Sequence, residues 1–186
     1  MSRVGNNPIN IPAGVKVLVK DGNVMVEGPK GKLSMAINNP GITIEIKDGK
    51  VVLSRSSEEK LVKAAHGTMR AHVNNLVTGV VGEFSKTLQV EGVGYKAALE
   101  GQVLVLYLGF THSIRKEIPK GLSCTVEKNT TITVKGADRE MLGNFCAKLR
   151  KLKNPDPYKG KGIKFMGEYI RRKAGKTATG TTGGGK

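Results

Sequence analysis

The chain is predicted to be an α+β protein of two tandem related domains. Each is an antiparallel sheet packed against one helix, and the pair arises from an internal duplication. Two observations predict this. Short runs of apolar residues alternate at a period of two, and each set of runs leads into one stretch with helical spacing. The second half then repeats the plan of the first: shifted by 80, residues 42–72 fall on 122–152 without a gap. A length of 186 residues accommodates two small domains, each near the lower limit for a self-sufficient core, which suits simple sheet-plus-helix units.

Val15, Val17 and Val19 alternate with Lys16, Leu18 and Lys20 and read as the first strand. Val24 and Val26 repeat the pattern and stop at Gly28-Pro29. Ile42, Ile44 and Ile46 follow, and Asp48-Gly49 separates them from Val51-Val52-Leu53. That dipeptide suits a two-residue hairpin turn, which needs positive φ at both central positions. Ser57-Glu58-Glu59 reads as a helix start, a hydroxyl cap followed by acids at the positive end of the dipole. Val62, Ala65, Met69, Val73, Leu76 and Val80 form one stripe at steps of three and four.

In the second half Ile44 meets Cys124, Val52 meets Ile132, Val62 meets Leu142 and Met69 meets Leu149. The block Val26-Glu27-Gly28 matches Val90-Glu91-Gly92 at a shift of 64. The difference marks an insertion between residues 93 and 121, and its apolar run from Val103 to Leu108 reads as an additional strand. The expected division is a first domain over 1–82, a second over 83–152, a basic extension over 153–173 and a flexible tail over 174–186. The tail holds five Gly and four Thr and no large apolar side chain. It has too little to bury to offset its ordering entropy.

Charge is local. Net charge is +16, of which residues 148–186 carry +10, residues 1–82 carry +5 and residues 83–147 only +1. A concentrated basic segment neutralises phosphates and releases counterions, the main source of nucleic-acid affinity. A merely solubilising tail fits less well, because these residues are interleaved with Tyr158, Phe165, Tyr169 and glycines. No apolar run reaches the roughly 20 residues of a membrane span. Cys124 and Cys146 are the only cysteines. With no leader-like segment before them, they are expected to be reduced, cytosolic and apolar in role.

No catalytic constellation assembles. His66 and His72 are six apart on the predicted helix and so on different faces, and His112 stands by itself beside a turn. Each suits a helix surface, a core edge or an RNA contact better than a metal site. Gly28-Pro29-Lys30-Gly31-Lys32 lacks P-loop spacing, since no Gly precedes Gly31 by five and Ser34 comes one place late. Gly92-Val93-Gly94 leads into strands, whereas a dinucleotide fingerprint opens a helix. No enzyme activity, metal, cofactor or small-molecule substrate is expected.

The segment from Lys153 to Ile163 is built to lie against a polyanion. Pro155 and Pro157 stop the preceding helix. Gly160 and Gly162 permit close backbone approach, Lys159 and Lys161 flank Gly160 with charge, and Tyr158 can stack on a base or anchor the loop. Arg171-Arg172-Lys173 adds groups suited to phosphate. The expected RNA-binding residues are Lys153, Tyr158, Lys159, Lys161, Lys164, Arg171, Arg172 and Lys173.

The stretch from Pro155 to Ile163, with Glu168-Tyr169-Ile170-Arg171-Arg172-Lys173, resembles the signature of the large-ribosomal-subunit protein six family, bacterial type. The resemblance extends to Ser2-Arg3-Val4-Gly5, the block at 26–31 and Gly92-Val93-Gly94-Tyr95. It implies a non-enzymatic, cytoplasmic protein of the ribosome that binds large-subunit ribosomal RNA near the stalk base and the sarcin–ricin region. It also implies neighbouring ribosomal proteins there as partners, and a second domain and C-terminal extension that make most of the RNA contacts.

Overall fold

The computed structural model describes residues 4–20, 22–37, 39–173 and 175. The expected disorder of 174–186 therefore lies, Gly175 aside, outside the described residues. The chain forms two compact units, one from the described residues up to 85 with 120–123 and 135–143, the other from the remainder.

The first half runs β1 (Ile9–Asn10), β2 (Lys16–Lys20), β3 (Asn23–Gly28), β4 (Gly31–Ala36), β5 (Ile42–Lys47), β6 (Lys50–Arg55) and α1 (Lys60–Gly82). Two three-stranded antiparallel sheets result, ordered β2–β3–β4 and β1–β6–β5. α1 lies across β3, β4, β5 and β6. One apolar cluster joins these elements, with Val24, Val26, Val51, Val73 and Val80 entirely buried. Asp48 and Gly49 adopt φ of 48° and 69°, and Lys47 pairs with Lys50 across them, as the two-residue turn requires.

Three features of this half differ from expectation, and a fourth decides among the readings given for His66. Sequence periodicity does not mark β4, whose only large apolar residues, Leu33 and Met35, are half-buried. Ile46, read as part of the apolar stripe of β5, is exposed beside the turn. The helix begins after Ser57-Glu58: Glu59 occupies the N-cap without a side-chain bond, and Ser57 Oγ accepts from the Glu59 amide at 3.1 Å. Glu58 is held by Lys63 and Arg55, which draw its carboxyl down to about 2. Finally, His66 belongs to the core. Its Nε2 donates to Leu53 O at 3.1 Å and its Nδ1 accepts from Arg55 at 3.3 Å, so both polar atoms of a buried ring are satisfied.

The second half runs β7 (Phe84–Glu91), β8 (Lys96–Glu100), β9 (Val103–Tyr107), β10 (Ile114–Glu117), β11 (Leu122–Glu127), β12 (Thr131–Gly136), α2 (Arg139–Leu152) and β13 (Gly162–Phe165). Its sheets are ordered β10–β9–β8 and β11–β12–β7–β13. The run from Val103 is a strand, but it is not an added one: β8, β9 and β10 repeat β2, β3 and β4, and the buried Leu104 and Leu106 stand where Val24 and Val26 do at a shift of 80, so the expected insertion between 93 and 121 is absent. Cys124 on β11 and Cys146 on α2 are buried free thiols. Burial, with Cys146 adding to it, pushes Cys124 up to about 11, so the two act as small apolar residues.

The repeat is visible in the backbone. Lys128 and Asn129 take φ of 52° and 55°, the geometry of Asp48 and Gly49 shifted by 80. The match is not ungapped, however. Three residues separate β11 from β12, and Thr130, which closes the turn by donating to Glu127 O at 3.2 Å, has no equivalent in the first hairpin. The extra residue flips the faces of the strand after it. Val51 and Leu53 thus correspond in burial to Ile132 and Val134, a shift of 81, while the buried pairs His66–Cys146 and Met69–Leu149 return to 80.

β3 ends against α1. Lys30 N donates to Val80 O at 3.0 Å, and a Cβ on Gly28 would lie 2.8 Å from Val80 Cγ2 and 2.9 Å from its carbonyl oxygen. We expect Gly28→Ala to destabilise the protein by about 1–3 kcal/mol. A lower urea midpoint at unchanged slope reads this out; an unchanged midpoint would mean that the hairpin is not seated on the helix.

Candidate nucleic-acid interface

The basic loop after α2 is organised by one carboxylate. Asp156 accepts from the amides of Lys159 at 3.0 Å and Tyr158 at 3.3 Å, an arrangement open to the short Asp side chain. Its backbone closes the loop twice more, with Gly160 N donating to Asp156 O at 2.8 Å and Asp156 N donating to Lys161 O at 2.9 Å. The Lys159 amide is the main reason its carboxyl sits below the usual range.

After the loop the chain enters the sheet. β13 pairs antiparallel with β7, placing Ile163 opposite Val90, and Ile163 is fully buried. Ile163 N donates to Lys153 O at 2.8 Å. Gly162, at φ 148°, has no room for a side chain, since a Cβ would lie 2.7 Å from Asn154 O and 2.8 Å from Lys153 O. Thus residues 162–165, expected within an extension, form a strand. Beyond it Glu168 accepts from Arg150 Nη2 at 2.6 Å and Nε at 3.1 Å, and from the Phe165 amide at 2.9 Å. This forked contact ties the segment to α2. Lys173 N then donates to Pro157 O at 2.9 Å, bringing the chain back to the loop.

This return gathers residues far apart in sequence. Arg172 lies against Gly160, near enough that a Cβ there would be 3.2 Å from Nη2. Tyr158, Lys159, Arg171, Arg172 and Lys173 are exposed, and Lys161 is half-buried. A cleft of about 330 Å³ opens beside them, with Gly160, Lys164, Tyr169 and Arg172 in its wall. Two of the expected residues are differently placed. Lys164 is ion-paired with Glu91 at 2.5 Å, and Lys153 sits with its Nζ 4.6 Å from the centre of the Phe110 ring. Sequence reading missed Arg150, Glu168 and Phe110. Arg150 carried no motif of its own, and Glu168 was read only as part of the signature-like run that ends at Lys173; an Arg on a helix face followed by an acid in an otherwise basic segment was an available signal.

Asp156 and Glu168 are the two carboxylates of the segment, and both are held below their ordinary values of 3.8 and 4.5, Glu168 chiefly by Arg150. A depressed carboxyl stabilises the fold above its ordinary value and loses that contribution as pH falls through the folded one. We therefore expect amide protection at Gly160 and Phe165 to weaken as pH falls below about 4.5, before the core unfolds. Glu168→Gln should loosen the segment at neutral pH by about 1–2 kcal/mol, discounted because the Arg150 and Glu168 side chains remain 31% and 24% exposed. Hydrogen exchange measures both, and uniform protection in the variant would contradict the clamp.

The family model described as Ribosomal protein L6 matches this chain in two segments, residues 11–82 and 91–165. Among similar proteins, the Large ribosomal subunit protein uL6 of Dictyoglomus thermophilum is 49% identical over 177 residues, covering 95% of this chain and 98% of that protein. Its namesake in Porphyromonas gingivalis is 47% identical over 182 residues, covering 96% and 99%. That of Clostridium botulinum is 50% identical over 178 residues, covering 95% and 98%. With two matched segments that follow the internal repeat and bacterial relatives aligned nearly end to end, the chain belongs to the ribosomal protein L6 family, bacterial type.

Proposed function

We propose that the protein is a structural constituent of the large ribosomal subunit in the cytoplasm. It binds large-subunit ribosomal RNA near the stalk base and the sarcin–ricin region, beside neighbouring ribosomal proteins, and supports subunit assembly and translation. It is not an enzyme. Family membership supports the ribosomal assignment, since its relatives are named for the large subunit. The observation that carries the RNA-binding reading is the Asp156-centred loop, which sets Lys159 and Lys161 beside Arg172 and Lys173 on one basic surface. The domain division proposed from sequence gives 153–173 this role, with the sheets as rigid supports.

Recognition of this kind reads the backbone and shape of folded RNA. A nuclease reading needs free carboxylates for metal. Asp156 is taken up by backbone amides and Glu168 by Arg150, so neither is available. Deleting residues after 152 is a poor test, because it would also remove β13 and its buried Ile163. Point changes are cleaner.

The test is competition binding across salt with folded large-subunit ribosomal RNA, unrelated folded RNA and duplex DNA. The ribosomal RNA should win. With roughly 6–10 phosphates engaged, affinity should fall about 10³- to 10⁵-fold between about 50 and 200 mM salt. Lys159→Glu with Lys161→Glu should weaken binding strongly and flatten the salt slope by about 2. Unchanged binding by that variant would sink the site assignment, and equal binding to all three polyanions would sink the specificity.

A further inference from the structure

We infer that Phe110 and His112, together with Lys153, form a platform on which an unpaired nucleobase of the bound RNA stacks. This rests on the RNA-binding reading above and adds a base contact to a surface otherwise made for phosphates.

The platform lies between β9 and β10. Leu108 is fully buried and anchors the chain at one side. Gly109, at φ 72°, then turns the backbone, and its lack of a Cβ leaves space for the Tyr95 ring, which would stand 2.9 Å away. Past this turn Phe110 projects outward, 43% exposed, and His112 is exposed beside it. Their ring centres are 6.5 Å apart and their planes differ by only 23°. Lys153 Nζ stands 4.6 Å from the Phe110 centroid, within cation–π range.

A single exposed Phe needs no explanation. Here two near-parallel rings share a backbone turn that is packed from beneath, and a cation from just past the end of α2 stands by one of them. The surroundings are polar, with Thr111 exposed and Ser113 half-buried. An apolar protein partner would leave that rim and the ammonium poorly matched. A nucleotide offers a flat ring and an adjacent anion, the combination that aromatic and cationic side chains recognise in unpaired RNA. Lys153 also joins this platform to the basic loop, because its carbonyl accepts from Ile163 at the start of β13.

The experiment titrates the full chain against folded large-subunit ribosomal RNA at several salt concentrations. It compares the wild type with Phe110→Leu/His112→Ala, Phe110→Tyr and Lys159→Glu/Lys161→Glu. The platform variant should bind roughly 5- to 150-fold more weakly, the range for loss of one stacked base. Its salt slope should stay at the wild-type value, since no Lys or Arg is removed. Phe110→Tyr should retain nearly all affinity. Ultraviolet crosslinking followed by peptide mapping gives a readout that does not depend on stability, and an RNA-linked peptide containing residues 110–112 is expected. Wild-type affinity in the platform variant, or crosslinks confined to 158–173, would overturn the inference while leaving the ribosomal RNA reading intact. If the wild type shows no preference for ribosomal RNA, that reading falls and the platform falls with it.

Discussion

The antiparallel pairing of β13 with β7 holds the C-terminal segment as a shaped surface. Ile163 is its hydrophobic anchor, opposite Val90, with both side chains in the core. Burying a residue of this size contributes about 1.5–3 kcal/mol, to which the Arg150–Glu168 contact and the hydrogen bonds of the Asp156 loop add on either side. The loop at 153–161 leads into this strand and the return through 171–173 follows it. Their ordering entropy is met during folding, so binding need not supply it.

Charge is arranged with the same logic. The segment from 148 to 186 holds only two acids, Asp156 and Glu168. Asp156 takes backbone amides of the loop, and Glu168 takes Arg150 and the Phe165 amide. Each acid stabilises local structure, and Asp156 does so facing the charges of Lys159 and Lys161 as well as the loop amides. Lys164 is neutralised by Glu91 as part of the strand pairing, whereas Lys159, Arg171, Arg172 and Lys173 remain at the surface. On the proposed reading, a phosphate backbone would meet the cations that are not used in holding the fold.

How far the fold was legible depended on whether a local rule was decisive. Asp48-Gly49 announced its turn because few residue pairs accept positive φ twice. β2, β3 and β5 announced themselves by alternation, and the duplication by its shift of 80, although the likeness of Val90-Glu91-Gly92 to Val26-Glu27-Gly28 set β7 against β3 where the sheets set it against β1. β4 was silent, since two half-buried apolar residues make no period. The slip at Thr130 was hidden because the chain gains a residue in the turn and loses one before α2, so alignments on either side agree. Ile163 could not be read as a strand residue among Gly and Lys, because four residues are too few for alternation to register. At the site, the basic residues were visible as composition. Their meeting across the loop was not, because hydrogen bonds such as Lys173 N to Pro157 O join positions that no sequence period connects.

The two copies show what that segment adds to the sheet. In the first, β6 lies between β1 and β5. In the second, β7, β12 and β11 repeat that order, and β8, β9 and β10 repeat β2, β3 and β4. Among the described strands β13 has no counterpart in the first copy: it pairs with the outer side of β7, with Ile163 opposite Val90 and Lys164 reaching Glu91. That strand carries basic sequence on both sides, so adding it to the second copy's sheet places a cationic loop and a cationic return at its edge. The strand that extends the sheet and the surface proposed to meet RNA are one piece of chain.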